Sequence, residues 1–176
     1  WEQCDALIEL THHALVNNAG IAPVAPRLLD VTETLFDKTI GVNLKGPLRL
    51  AAKAAQHMRP GSTIVNVSSV ASVKPNPVTA VYAAAKAGLN VLTSVMAQEF
   101  APRGIRVNGI VCGMFWTDSF RAGVPSEEAA AAATRGNVLH RIAQPDEIVG
   151  TALYLATEAS SYTTGQLITV DGGVLP

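Results

Sequence analysis

An open α/β sheet of parallel strands is the architecture the sequence predicts, and three observations predict it. Four short runs rich in β-branched residues occur along the chain: "ALVN" at 14–17, "STIVNV" at 62–67, "IRVNGIV" at 105–111 and "QLITV" at 166–170. Long helical patterns separate them. No tight hairpin turn joins any two, so successive strands are expected to run parallel and to be connected by crossover helices. At 176 residues the chain has room for one domain, 1–176, with a sizeable core, and not comfortably for two.

After the first strand, the prolines within 22–26 belong to a loop. A helix is expected after Thr32, whose hydroxyl can cap the amides of "ETLF", and it should run to about residue 58, where Pro60 and Gly61 stop it. Pro47 falls inside. Its nitrogen cannot donate to the carbonyl of Asn43, four residues back, so the spacing predicts a kink with that carbonyl left for water or a side chain. After the second strand a helix is expected over 79–100, ending before Pro102, with Gly104 as a turn residue. Leu89, Leu92 and Met96 mark one apolar stripe on it and Val91 and Val95 another, while Gly88 permits a close neighbour. Such a helix is predicted to be buried on two sides, against the sheet and against a second subunit. "EEAAAAAT" at 127–134, acidic at its start, predicts a mobile surface helix. "PDEI" opens a last helix over 145–156, acidic in its first turn as the helix dipole favours.

Composition narrows the function classes. Hydrophobic residues make up 48% and charged residues 15%, the balance of a well-buried protein and not of a disordered one. A net charge of −1 with no Lys/Arg run argues against nucleic acid or an anionic membrane as partner. No apolar run reaches the ~18 residues of a membrane span and no signal peptide is visible, so a cytoplasmic protein is expected. Cys4 and Cys112 supply neither a disulfide framework nor metal spacing, which suits a reducing compartment. The histidines add no ligand pattern: His12 and His13 would point to opposite faces of a strand, and His57 and His140 stand alone. No metal site is expected.

Residues 80–89, "AVYAAAKAGL", place Tyr82 and Lys86 four apart in helix-favouring sequence, so phenol and ammonium share a helix face. Alone, that spacing describes many a half-buried tyrosine beside a solvated lysine. In open parallel sheets, however, ligands bind outside the carboxyl ends of the strands. The four runs lead in turn into "NAG" (18–20), "SSVAS" (68–72), "CGMFWT" (112–117) and "DGG" (171–173), small and polar residues gathered at one edge. Each by itself reads as an ordinary turn.

Taken together, "LVNNAG" (15–20), Asn43 in "VNLKG", "IVNVSSVAS" (64–72), "YAAAK" (82–86), "RVNGIVCG" with Thr117, and "TGQLITVDGG" (164–173) resemble the short-chain dehydrogenase/reductase family, over nearly the whole chain from about Ala14. The resemblance implies a Rossmann-like sheet with flanking helices and NAD or NADP as cofactor. It implies a catalytic four of Asn43, Ser69, Tyr82 and Lys86, with Ser69 lying 13 residues before Tyr82. Tyr82 would exchange a proton with a carbonyl or alcohol oxygen, Ser69 would hydrogen-bond that oxygen, and Ser68 competes for the part or is structural. A cation ~4 Å from the phenol, at an effective dielectric of ~20, favours the phenolate by ~4 kcal/mol, or about three pKa units, which would bring Tyr82 near neutrality. Lys86 would also bond the nicotinamide ribose. The Asn43 carbonyl would hold a water linking Lys86 to solvent, the alternative being a merely structural kink. Asn18, Ala19, Gly20 and Gly113 would line the cofactor, with Phe115 and Thr117 near the carboxamide. Residues 118–138 would form the substrate lid, with Trp116 and Phe120 either its apolar contacts or plain core. Cys112 departs from the family's usual proline before Gly113 and suggests a more flexible loop with a thiol near the cofactor.

The pattern is also incomplete. No Gly-rich phosphate loop precedes the first strand, so the opening βαβ portion of the fold is missing and the outer edge of "ALVN" should be bare. The expectation is an oxidoreductase parent and a piece whose own activity is in doubt. "YAAAKAGL" and "ITVDGG" look most like 3-oxoacyl-carrier-protein reductases, with sugar or secondary-alcohol dehydrogenases as runner-up. A non-catalytic truncated scaffold that keeps the family's dimer helices is the competing class; the intact four favour the enzyme and the missing loop favours the scaffold. The implied partners are a small-molecule carbonyl or alcohol and further copies of the chain, as a dimer or tetramer.

Overall fold

The computed structural model describes residues 13–124 and 126–175, so Cys4, His12 and the segment before them lie outside the described residues. Four strands form one parallel sheet in the order β1 (Ala14–Asn17), β2 (Thr63–Ser69), β3 (Arg106–Cys112), β4 (Leu167–Val170). Each strand lies beside its predecessor, as long crossovers between parallel neighbours require. Among the described residues β1 is a terminal strand, and Val16 on it is half exposed.

The connections carry helices α1 (Glu33–Ile40), α2 (Gly46–His57), α3 (Ala80–Phe100), α4 (Asp118–Gly123), α5 (Glu127–Ala133) and α6 (Val149–Ala156). Thr32 caps α1 as its sequence suggests, accepting from Leu35 N at 3.1 Å. The break near Pro47 takes a different form from a proline kink: Gly41–Lys45 winds as a π-helical turn, and the Gly46 amide reaches back to the Gly41 carbonyl. The extra residue in that turn is accommodated just ahead of Pro47, the residue that has no N–H to offer an α-helical partner. Asn76 caps the short turn leading into α3, accepting from Thr79 N at 3.2 Å.

Helices cover both faces of the sheet because successive strand residues point to opposite sides. On one face, Ala51, Ala54 and Ala55 of α2, Met58 just past its end, and Met96, Ala97 and Phe100 of α3 pack on Ile64 and Val107. On the other, Leu155 and Ala152 of α6 pack with Val65, Ile110 and Ile168. Residues 77–103 have the length and mean hydropathy, 1.2, of a membrane span, but Leu89, Met96, Ala97 and Phe100 turn that apolarity onto the rest of the fold. The second stripe of α3 faces outward, with Val91 64% and Val95 47% exposed. Gly88 does sit against a neighbour, since a Cβ there would come within 3.1 Å of Leu44 in the π turn. The alanine-rich segment forms α5, capped by Ser126, but it is not purely superficial: Ala130 is buried.

Candidate active site

Parallel strands bring their carboxyl ends to one edge, and there β2 delivers Ser68 and Ser69 while β3 delivers Cys112, the register partner of Ser69. The two serines separate by alternation. Ser68 is buried and donates to the Lys86 carbonyl at 3.4 Å, tying β2 to α3. Ser69 follows it at the strand end, where its side chain acts on that of Tyr82 and favours the phenolate. Lys86, one helical turn beyond Tyr82, is buried, with Nζ 5.8 Å from the centre of the phenol ring and 2.7 Å from the Val67 carbonyl that accepts from it.

Asn43 reaches the same edge from the π turn. Its Nδ2 donates to the Ile21 carbonyl at 2.8 Å and the Thr39 carbonyl at 2.9 Å, and its Oδ1 accepts from Ile21 N at 3.2 Å. The loop after β1 is thereby stitched to the helix, and Ala25 N adds a bond to the Val78 carbonyl ahead of α3 at 2.9 Å. Gly20 is required here: a Cβ on it would lie 3.0 Å from Asn43 Oδ1 and 3.5 Å from Lys86 Nζ. Asn43, Lys86 and the backbone of residue 20 therefore converge on one small space, open to solvent along the exposed residues 18–20.

The electrostatics differ from the simple cation–phenol picture. The pKa of Tyr82 is raised, because burial penalises the phenolate more than the Ser69 hydrogen bond favours it, with the Cys112 thiol adding to the rise. Lys86 does not offset this; burial draws its own pKa down to about 8, a little moderated by Cys112. Burial pushes the Cys112 thiol up to about 11, so it remains protonated and poorly nucleophilic near neutrality. The site thus holds a protonated phenol, a protonated thiol and a largely charged amine in a shared desolvated pocket.

Of the remaining sequence-predicted residues, Gly113 packs against Asp171, whose Cα would lie 2.6 Å from a Cβ at 113. Phe115 forms a parallel bridge with Ala143, and Thr117 caps α4 by accepting from Phe120 N at 3.2 Å. Trp116 and Phe120 meet edge to face at 5.6 Å, with the Arg121 guanidinium 5.3 Å over the indole. Trp116, Arg121, Val124, Ser126 and Ala130 line a cavity of about 410 Å³ in the segment expected to be the lid. Sequence reasoning missed the polar chain beneath the edge, in which Asn17 donates to Asn66 at 2.8 Å and Asn66 to Thr93 at 2.9 Å. A signal was present, an asparagine inside each of three apolar runs.

Known proteins share both the sequence pattern and the fold. A family described as enoyl-(acyl carrier protein) reductase matches residues 8–175. A 3-oxoacyl-[acyl-carrier-protein] reductase from Thermotoga maritima is 42% identical over 164 residues, covering 92% of this chain and 65% of that protein. An L-xylulose reductase from Caenorhabditis elegans is 34% identical over 164 residues, again covering 92% and 65%. A gluconate 5-dehydrogenase from Burkholderia cenocepacia, solved with NADP and tartrate, superposes with a TM-score of 0.91 at 33% identity, covering 98% of this chain and 71% of that one. The chain spans less than two-thirds of the length of either curated reductase. With a matched family region running almost end to end and a parallel sheet that superposes on solved members, this chain belongs to the short-chain dehydrogenase/reductase family.

Proposed function

We propose that the protein is an NAD- or NADP-dependent oxidoreductase that interconverts a carbonyl and a secondary alcohol on a small-molecule substrate. One observation carries the reading: Ser69 at the carboxyl end of β2 and Tyr82 on α3 come together at the sheet edge, with the Lys86 amine buried one turn along the same helix. When bound, the nicotinamide supplies hydride to the carbonyl carbon or takes it from the alcohol carbon. Tyr82 Oη gives the oxygen its proton in the reducing direction, a task suited to a phenol that burial keeps protonated. Ser69 Oγ donates to the same oxygen and steadies the charge that develops on it. An ammonium has three N–H groups; the Val67 carbonyl takes one from Lys86, and two remain for the ribose hydroxyls. Asn18, Ala19 and Gly20 offer small side chains and backbone to the cofactor, with Gly113, Phe115 and Thr117 on the facing loop. Asn43 holds that first loop through Ile21.

Our first substrate reading is a 3-oxoacyl thioester, supported by the identity to the Thermotoga maritima reductase. A second reading, a sugar or small hydroxy acid, is favoured by Arg121: a guanidinium braced on Trp116 at the cavity wall suits an anionic group on the substrate. The outward Val91 and Val95 of α3, with exposed Phe36 and Leu48 on α1 and α2, support a homo-oligomer, dimer or tetramer, joined through these helices. The two-cysteine composition supports a cytoplasmic location. The test is kinetic. The protein expressed from its complete reading frame should oxidise NADPH or NADH with an acetoacetyl thioester or a keto sugar acid, and Tyr82→Phe should lower turnover by about 10²- to 10⁴-fold. Turnover that survives loss of the phenol oxygen would overturn the proposal.

A further inference from the structure

We propose that Asn90 and Ser72 form a relay that fixes the orientation of Ser69, which makes Asn90 a positioning residue; the inference rests on the role given to Ser69 above. Ser69 is the last residue of β2, and the chain turns immediately after it through Val70–Ser72. Two hydrogen bonds hold that corner: Ala71 N donates to Ser69 Oγ at 3.2 Å, and Ser72 Oγ donates to the Ser69 carbonyl at 2.5 Å. Because Ala71 only donates to Ser69 Oγ, the Ser69 hydroxyl proton stays available to Tyr82 and to a substrate oxygen.

The direction of the relay is fixed by proton counting. Ser72 has one hydroxyl proton, and the Ser69 carbonyl takes it, so any further partner of Ser72 must donate. Asn90 Nδ2 does so at 2.8 Å. The orientation leaves Asn90 Oδ1 buried with no hydrogen-bond partner. An aliphatic side chain at position 90 would fill the space without that penalty, so the amide is explained by what its Nδ2 does. Position matters as much as chemistry. Tyr82, Lys86 and Asn90 are spaced four and four, on one face of α3. The corner that carries Ser69 is thus anchored to the same helix face that carries its hydroxyl partner, and the Ser69–Tyr82 contact is set inside one rigid unit.

The test uses the protein from its complete reading frame, with Ser69→Ala as reference. Asn90→Leu and Ser72→Ala should each lower kcat by about threefold to tenfold while the KM for the nicotinamide cofactor stays unchanged. The double variant should be no worse than either single one, since both cut the same relay. Asn90→Asp keeps the shape and reverses the polarity: its carboxylate draws the Ser72 proton off the Ser69 carbonyl, so kcat should fall further at pH 7 and recover as acid protonates it. Ser72→Thr, which retains the hydroxyl, should keep kcat within about twofold. Amide exchange at Ala71 should quicken in Asn90→Leu, Asn90→Asp and Ser72→Ala, as it does in Ser69→Ala, which removes the acceptor itself, and should stay slow in Ser72→Thr. Normal kcat and unchanged Ala71 exchange in folded Asn90→Leu and Ser72→Ala would overturn the relay. If Ser69→Ala itself keeps full kcat, it is the role of Ser69 that fails, and the relay then stands or falls on Ala71 exchange.

Discussion

The edge that carries Ser69, Tyr82 and Lys86 and the segment over 117–138 are held by different forces. At the edge, polar groups are buried and tied to backbone: Asn43 to Ile21 and Thr39, Lys86 to Val67, Ser68 to the Lys86 carbonyl. In the segment over 117–138, α4 and α5 are six and seven residues long, too short to persist by helix propensity alone. They rest on caps from Thr117 and Ser126 and on the Trp116–Phe120–Arg121 cluster. On the proposed function, the groups that would move a proton are built on strand ends and a long helix, where distances are fixed, and the segment proposed to meet the substrate consists of short elements that tolerate adjustment.

Lys86 is where the buried edge is most exposed to a single substitution. Lys86→Met should lower turnover by about a hundredfold or more. It should also stabilise the fold at pH 7. The folded-state pKa is depressed to about 8 from 10.5, so burial opposes the charged amine fully below pH 8, and that opposition fades as pH rises through this window. Replacing the amine should therefore add about 1–3 kcal/mol at pH 7, less the lost bond to Val67, and nothing above pH 10.5. Urea unfolding at pH 7 and at pH 10.5 checks both signs.

Gly20→Ala comes next. Its methyl group would press on Asn43 Oδ1, which Ile21 holds in place, so turnover should drop about tenfold with the melting temperature little changed. Cofactor titration by nicotinamide fluorescence shows whether the loss lies in binding. The smallest effect belongs to the segment over 117–138. Arg121→Ala should raise KM for a carboxylate-bearing substrate a few-fold, leave kcat alone, and alter stability by less than about 0.5 kcal/mol. An equal KM change for a neutral substrate would remove the anionic reading.

Much of the fold and of the edge is legible in the sequence, and the limits have physical causes. Strand positions agree to within one or two residues; β2 and β3, buried on both faces, read as unbroken β-branched runs, and the part-exposed β1 and β4 keep the same β-branched composition. The Thr32 cap and the Tyr82–Lys86 face are legible because both depend on spacing along a single helix. The direction of the Tyr82 shift is not, since it is decided by desolvation, which belongs to the whole fold and to no local pattern. Nor is the Asn90–Ser72 bond, which joins residues 18 positions apart through the meeting of a strand end and a helix face. The pairing of Cys112 with Ser69 across β2 and β3 is likewise a matter of register, visible only once the strands are side by side.

The π turn at Gly41–Lys45 has a rotational consequence. Each residue advances an α-helix by about 100°, so one surplus residue resets the phase between the helix before it and the helix after it. Within the turn, Asn43 has to look at the loop after β1; downstream, Ala51, Ala54 and Ala55 have to look at the sheet. Shortening the turn by a single residue would restore a regular helix and swing one of those two sets away from its target. The bulge acts as a mechanical phase adjuster, letting a single continuous rod hold the loop after β1 from its middle and fill the packed interior with its second half.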